Sequence, residues 1–419
     1  GRDLKAWSAK WLEESGINTI ATEVEENADG TIASLTLNQT APAEHPVLRP
    51  HRLAVGFYDE DPATGKIVRT DRFELDVDGE STVAAAAAGK KRPAFILVND
   101  DDLTYTKLRF DADSLSFALA NLQRFDDALA RAVVWLSLWD MTRDGDLAAE
   151  KFIDTTLALL ATETESTTFR YALSCMSTTA WHYTAPDRRA DVVKHVAKEL
   201  WKLVIAAPGG SDQQFQLVTA YLGYGEEGDA EFAEHAQGLF DGSLIVAGLE
   251  IDNNFTWTII NALSSVKLID QAGIDAQLAK RDTTENREFA LGAHAVRGDA
   301  AAKEWAWNEA LNNADLTNMQ LEAVARGFGA TPRPDLAEPY AAKYYDVVDW
   351  VWKNKSFHMA EALLEGLYPY YADPATLVEL GHRWLADHED ADNALKRIVR
   401  GNVESSQRTL KVRDFNAAL

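Results

Sequence analysis

The chain has 419 residues, of which 46% are hydrophobic, and this composition supports two or three domains with sizeable buried cores. Its formal net charge of −25 and its lack of a Lys/Arg cluster exclude the basic face of a typical nucleic-acid-binding protein. No apolar run approaches the roughly 20 residues that span a bilayer, which excludes a transmembrane helix. The single cysteine, Cys175, excludes internal disulfide bonds and suits a reducing cytoplasm.

The sequence opens with GRDLKAWSAKWLEESGIN, in which apolar residues recur at helical spacing. Asp3 is a suitable N-cap and Gly16 a suitable C-terminal stop, so residues 1–16 are predicted to form a helix. The stretch has neither the basic start nor the apolar middle of a signal peptide. Two interpretations stay open: the helix folds back on its own domain, or it packs against another part of a longer chain. Its apolar stripe consists of Leu4, Trp7, Trp11 and Leu12.

Residues 17–110 alternate between apolar and polar side chains, as strands with one buried face do. The alternation is clear in TIASLTLNQ, RLAVGFYDED and DRFELDVDGES, and RPAFILVNDDD adds a continuous apolar run that ends in acidic residues. Turn sequences rich in Asp, Gly and Pro separate these runs. The pattern predicts a small β-sandwich.

Residues 111–419 follow the helical period instead. Predicted helices of roughly 10 to 20 residues succeed one another on short turns such as APGGSD and TPRPD, which is typical of an α-solenoid. No strict period is present, so the repeats are degenerate. The whole sequence therefore predicts a mainly α protein, in which a small N-terminal β-sandwich precedes a large HEAT/armadillo-like superhelical domain. We predict a domain boundary between Phe110 and Ser114, where the period changes.

No recognisable catalytic or metal-binding motif is present. A zinc-peptidase helix needs H-E-x-x-H, which places two imidazoles and a carboxylate on one face, and the sequence lacks it. The nine histidines are scattered, and no two are three or four positions apart. The acidic run Asp100–Asp102 lacks the glycine and the distant glutamate of a calcium loop, which favours a solvated turn at a strand end.

Motifs along the whole chain are similar, in order, to those of one enzyme family. They include GRDLKAWSAKWLEESGINTI, PVLRPHRLAVGFYD, ARAVVWLSLWDMTRDGDL, GSLIVAGLEIDNNFTW, AKRDTTENREFA and NALKRIVRGNVESSQRTLKVRD. In LVNDDDLTYTKLRFD, Asn99, Tyr105 and Lys107 match an Asn, a Tyr and a basic residue of that family. The set resembles actinobacterial aminopeptidase N, a zinc-dependent gluzincin aminopeptidase. One departure is Thr256, where many relatives carry Arg before the Trp, so an anionic contact of that Arg is in doubt here.

The resemblance implies the non-catalytic C-terminal half of an enzyme that releases N-terminal amino acids from peptides. It implies that zinc belongs to a catalytic domain of the same polypeptide that this chain lacks, and that the chain itself holds no metal, cofactor or catalytic residue. Residues 1–16 would be the end of that domain, residues 17–110 a spacer and residues 111–419 a helical bowl around a peptide chamber. The expected partners are the catalytic domain and peptide substrates, not nucleic acid or membranes, in the cytoplasm.

Two other functions stay open on sequence grounds. One is an independent helical-repeat adaptor that binds a protein partner on its concave face. The other is a self-contained hydrolase with an unrecognised site. The adaptor differs from the aminopeptidase half because it needs no further domain.

The best candidate for a peptide contact is GLEIDNNFTWTIINAL. Asp252 is predicted to cap its helix, and Trp257 would offer a flat apolar surface to a peptide side chain. Arg297 and Arg326 follow later helical stretches and could meet the terminal carboxylate of a peptide through paired hydrogen bonds. The alternative is purely structural: Asp252 caps, Trp257 packs and neither meets substrate.

Overall fold

The computed structural model describes residues 4–419, apart from the side chains of Leu4 and Ala6. The predicted cap Asp3 lies outside the described residues. The opening helix consists of α1 (Leu4–Ser8) and a π-helical continuation over Ala9–Glu13.

Arg49 holds the C-terminal end of this opening helix. Its Nε donates to the carbonyl oxygen of Lys10 (2.9 Å). Its Nη2 donates to the carbonyl oxygens of Glu14 (2.7 Å) and Ser15 (3.0 Å). These are carbonyls that the helix leaves without intrahelical partners, so the guanidinium acts as a cationic cap. The chain then turns away at Gly16, whose φ of +93° is readily available to glycine.

Two sheets follow the opening helix. Their strands are β1 (Thr19–Glu26), β2 (Ile32–Thr40), β3 (His51–Glu60), β4 (Ile67–Val77), β5 (Ser81–Val83), β6 (Phe95–Asp100) and β7 (Lys107–Arg109). The four-stranded sheet has the order β5-β2-β1-β7 and the three-stranded sheet β4-β3-β6, and all pairs are antiparallel except β1 with β7. Leu35 and Leu37 of β2 are buried, as the alternation predicts. His51 of β3 joins the sheets, since its Nε2 lies 2.8 Å from Oε1 of Gln39 on β2.

Strand β6 is buried along its whole length and ends in a strained turn. Nδ2 of Asn99 donates to the carbonyl oxygen of Thr104 (2.8 Å), and its Oδ1 accepts from the Thr104 amide (3.0 Å). These two hydrogen bonds fix the turn, in which the side chain of Tyr105 remains 74% exposed. Three of its residues have positive φ although they are not glycine: Asn99 (62°), Asp101 (65°) and Asp102 (51°).

Helices occupy the rest of the chain and begin at α2, whose N-cap Asp111 accepts from the Ser114 amide (3.1 Å). They are α2 (Ala112–Asn121), α3 (Ala128–Asp144), α4 (Ala149–Leu160), α5 (Ser166–Thr178), α6 (Arg189–Ala206), α7 (Asp212–Leu222), α8 (Ala230–Asp241), α9 (Asn253–Ser265), α10 (Gln271–Lys280), α11 (Thr284–Ala295), α12 (Ala300–Asn312), α13 (Asn318–Gly329), α14 (Pro334–Ala337), α15 (Ala341–Asn354), α16 (Phe357–Gly366), α17 (Pro374–Asp387) and α18 (Asn393–Ala417). The elements confirm a mainly α fold with a small N-terminal β region.

The chain divides into two compact units, the first ending at Met176 and the second spanning Ser177–Leu419. The first unit contains both sheets together with α2, α3 and α4. A domain boundary near residue 110 therefore stays a prediction, although the strands end there.

In the second unit, non-consecutive helices stack into a row. Its members are α7, α9, α11, α13, α16 and α18, and each contacts the next. The other helices connect successive members of this helix row, which is the stacked array that the sequence predicts. The last helix returns to the start of the unit. Nε of Arg413 on α18 donates to the carbonyl oxygen of His182, 231 positions earlier, at 2.7 Å.

Candidate functional site

A groove of about 250 Å³ lies on the open face of the helix row, where α9, α11 and α13 pass side by side. It combines an apolar floor with a polar rim, as sites for small polar ligands do. Its lining consists of Asn261, Glu288, Phe289, Gly292, Val296, Met319, Ala323, Arg326, Gly327 and Ala330.

Two glycines bring α11 and α13 close together beneath this groove. A Cβ on Gly327 would lie 2.6 Å from the carbonyl oxygen of Gly292 and 2.8 Å from Cβ of Ala295. On the facing helix, a Cβ on Gly292 would lie 3.6 Å from the carbonyl oxygen of Ala323. Because no side chain separates the two backbones here, the surface dips and the groove forms.

Lys303 of α12 fixes the ends of the same two helices. Its Nζ donates to the carbonyl oxygens of Ala295 (2.7 Å) and Phe328 (3.2 Å). It also donates to the carbonyl oxygen of Gly327 (3.3 Å) and to the hydroxyl of Thr331. These carbonyls belong to the C-terminal ends of α11 and α13, where the helix dipole favours a cation. Burial nevertheless lowers the pKa of Lys303 to about 7. The ends of both groove helices are therefore held by a lysine whose pKa is strongly lowered.

The rim of the groove offers an exposed cation and an unsatisfied acceptor. The Arg326 side chain is 75% exposed, and its ion pair with Glu322 is long, at 4.0 Å. Glu322 also faces Nδ1 of His358 at 3.7 Å. Oδ1 of Asn261 is buried and has no hydrogen-bond partner, which is uncommon for a buried amide. A negatively charged ligand could pair with the exposed guanidinium of Arg326.

Trp257 lies behind the groove rather than in it. The side chain is 1% exposed and packs in a core cluster with Ile260 and Ile274. Its ring lies 6.2 Å from the ring of Phe289, which lines the groove. The indole presents no free face in this structure, and its contribution to the groove is to support Phe289.

The N-terminus of α9 is built from side-chain caps. Oδ1 of Asp252 accepts from the Phe255 amide (2.8 Å). Thr256, at the position where many relatives carry Arg, donates its hydroxyl hydrogen to the carbonyl oxygen of Asp252 (2.7 Å). Asn253 and Asn286 exchange two amide hydrogen bonds (2.9 and 3.2 Å) and so connect α9 to α11. Two of the family-like motifs thus meet at the start of the groove helices.

Arg297 lies past the end of α11, and the groove lining does not include it. Its Nη2 pairs with the carboxylate of Asp299 (3.0 Å), which also caps α12 by accepting from the Ala302 amide (2.9 Å). Of Trp257, Arg297 and Arg326, the structure therefore brings Arg326 alone to the groove surface. Sequence reasoning missed Asn261 and Phe289, although an Asn within the apolar run TIINALSS was an available signal.

The described residues provide neither a cluster of metal ligands nor a membrane-spanning helix. Across residues 4–419, no three or more His, Cys, Asp or Glu side chains are arranged to hold a metal ion. None of the helices described is both long enough and apolar enough to cross a bilayer.

Comparison with known proteins places this arrangement in a family. A family model described as the ERAP1-like C-terminal domain matches residues 95–408, from β6 into the last helix. Aminopeptidase N of Streptomyces lividans is 35% identical over 424 residues, an alignment that covers 100% of this chain and 49% of that protein. The chain thus spans about half the length of this curated relative, and the resemblance to aminopeptidase N is confirmed. This chain belongs to the ERAP1-like C-terminal domain family.

Proposed function

We propose that this chain is the non-catalytic part of a zinc-dependent aminopeptidase N, an enzyme that releases N-terminal amino acids from peptides in the cytoplasm. In this proposal the helix row forms the wall of the peptide chamber, and residues of the first unit act as a spacer. The groove carries the proposal, because it joins an apolar floor, an exposed cation and an unsatisfied amide oxygen in a chain related to an aminopeptidase.

The chemistry of the groove suits the tail of a peptide. Arg326 can bind a terminal carboxylate through two hydrogen bonds, and Oδ1 of Asn261 can accept from a peptide N–H. Phe289 offers an apolar surface to a side chain without demanding a particular sequence.

Zinc belongs to another part of the polypeptide in this proposal. The described residues do not fit a zinc site, since they contain no suitable group of ligands. No zinc-dependent step is therefore assigned to this chain, which shapes the chamber and positions the far end of the substrate.

An apolar patch on the first unit suits the catalytic domain as partner. Trp7, Trp11, Leu103 and Tyr105 contribute to the lining of a cavity of about 400 Å³. Trp7 is 41% exposed and Leu103 46% exposed, and the strained turn after β6 holds Leu103 and Tyr105 in position. A clustered exposed patch of this kind is typical of an interaction surface.

The test is Arg326→Ala in the full-length enzyme, assayed on long peptides and on single-residue aminoacyl substrates. We expect kcat/KM for long peptides to fall about tenfold, roughly one to two kcal/mol, because the lost contact acts on the substrate tail. Aminoacyl substrates should be nearly unaffected, since they do not reach the groove. Arg383→Ala is the matched control, because Arg383 is 61% exposed and makes an i,i+4 pair with Glu379 outside the row. Equal losses on short and long substrates would contradict the assignment.

A further inference from the structure

Two arginines lie on helices that both contact the segment Thr179–Tyr183 at the start of the second unit. Arg189 is the first residue of α6, and Arg413 lies near the end of α18. Both act electrostatically on His182, whose pKa is lowered to about 3 by burial and by the two cations together. The His182 ring stacks on Tyr371, with ring centroids 4.7 Å apart. Four polar side chains from distant parts of the unit therefore share one place.

Each cation of this cluster has a buried N–H donor without an acceptor within residues 4–419. Nε of Arg189 is buried and has no hydrogen-bond partner among the residues that the structure describes. Arg413 donates through Nε to the carbonyl oxygen of His182, but its Nη2 is buried without a partner. Arg189 also repels Arg413 electrostatically. A buried guanidinium donor without an acceptor is costly, so this arrangement needs an explanation.

The nearby carboxylates offset the two positive charges only in part, since Asp373 attracts Arg413 through space without an ion-pair contact. Oδ2 of Asp373 accepts from the amide (2.9 Å) and the hydroxyl (2.8 Å) of Thr376, because Asp373 is the N-cap of α17. Glu226 acts on Arg189 only through space, and burial raises the pKa of this carboxyl. The cluster therefore keeps excess positive charge and unused hydrogen-bond donors.

We propose that Arg189 and Arg413 bind a small inorganic oxyanion of the phosphate or sulfate type. Guanidinium groups bind such anions through paired N–H donors, and one ion between two arginines would also relieve their repulsion. Arg189, His182 and Tyr371 are partly exposed, which leaves a path for a small ion. The bound anion would hold α18 against the start of α6 and so stabilise the folded second unit. This inference does not depend on the proposed peptidase role.

The experiment titrates inorganic phosphate into the whole chain at constant ionic strength, balanced with chloride, and follows thermal unfolding. At about 100 times its dissociation constant, phosphate should stabilise the folded state about 100-fold and raise the melting temperature by roughly 3–5 °C. Arg413→Met should abolish this rise, whereas Arg400→Met, which removes an exposed cation from the same helix, should keep it.

Phosphorus-31 NMR of the phosphate signal supplies a second measurement, with Arg189→Met as the second variant. We expect saturable broadening with the native chain and with Arg400→Met, and none with Arg189→Met. The proposal is overturned if the native chain shows no saturable binding. It is equally overturned if the Arg189 and Arg413 variants bind phosphate as well as the native chain.

Discussion

Replacing Gly327 by alanine tests whether the close approach of α11 and α13 holds the groove. The new Cβ would lie 2.6 Å from the carbonyl oxygen of Gly292, which is backbone and cannot rotate away. Ordinary contacts begin near 3.4 Å, so the two helices must separate by roughly 0.8 Å. Such overpacking costs about 1–3 kcal/mol. Alanine regains about 0.5–1 kcal/mol through its better helix propensity, so we expect a net loss of about 1–2 kcal/mol.

Gly401 offers a matched control in the same unit. It lies within α18, and a Cβ there would meet no atom within 4 Å. Gly401→Ala should therefore stabilise the protein by about 0.5–1 kcal/mol, because the propensity gain is not opposed. The assay is urea unfolding followed by tryptophan fluorescence. Shifts of the same sign and size in both variants would refute the packing argument.

Three further predictions concern charge and chemistry. Burial lowers the pKa of His51 to about 4, so the unfolded chain binds more protons below pH 6.5. Stability should then fall by up to about 3 kcal/mol as the pH drops from 6.5 to 4, and His51→Gln should flatten this fall in urea unfolding curves. The pKa of Lys303, about 7, makes stability rise between about pH 7 and pH 9, and an equally steep rise in Lys303→Met would contradict this. Finally, the isolated chain should bind no stoichiometric zinc at micromolar concentration and release no amino acid from Leu- or Ala-based chromogenic substrates; chelator-sensitive turnover by purified chain would contradict this.

The fold could largely be predicted from the sequence, because each half has one dominant hydrophobic period. The alternation of β2 buries Leu35 and Leu37 on one face, and the sandwich region follows from several such strands. The helical half follows from the same logic at a different spacing. The hydrogen bond between Arg413 and His182 could not be predicted, because it joins positions 231 residues apart and leaves no local pattern in the sequence.

The candidate site could be predicted only in part, because local sequence does not show which neighbours cover a side chain. Asp252 precedes an apolar helix, and its role as a cap follows from local chemistry alone. Trp257 gives no such indication, because an aromatic residue on a helix looks the same whether its outer face meets water or a neighbour. Here the neighbour includes Phe289, which belongs to the next helix of the row and lines the groove in front of Trp257.

The positions of the arginines show which cations are free to bind a ligand. A cation near a helix C-terminus is attracted by the carbonyls without intrahelical partners and by the helix dipole, so it stabilises the helix end. Lys303 does this for α11 and α13, and Arg297 pairs with the capping carboxylate of the next helix. Arg326 lies within the last turn of α13, yet its side chain is 75% exposed and its only described carboxylate pair is long. Exposure and weak pairing, rather than charge alone, are therefore the reasons why we propose Arg326 as the arginine that meets a peptide carboxylate.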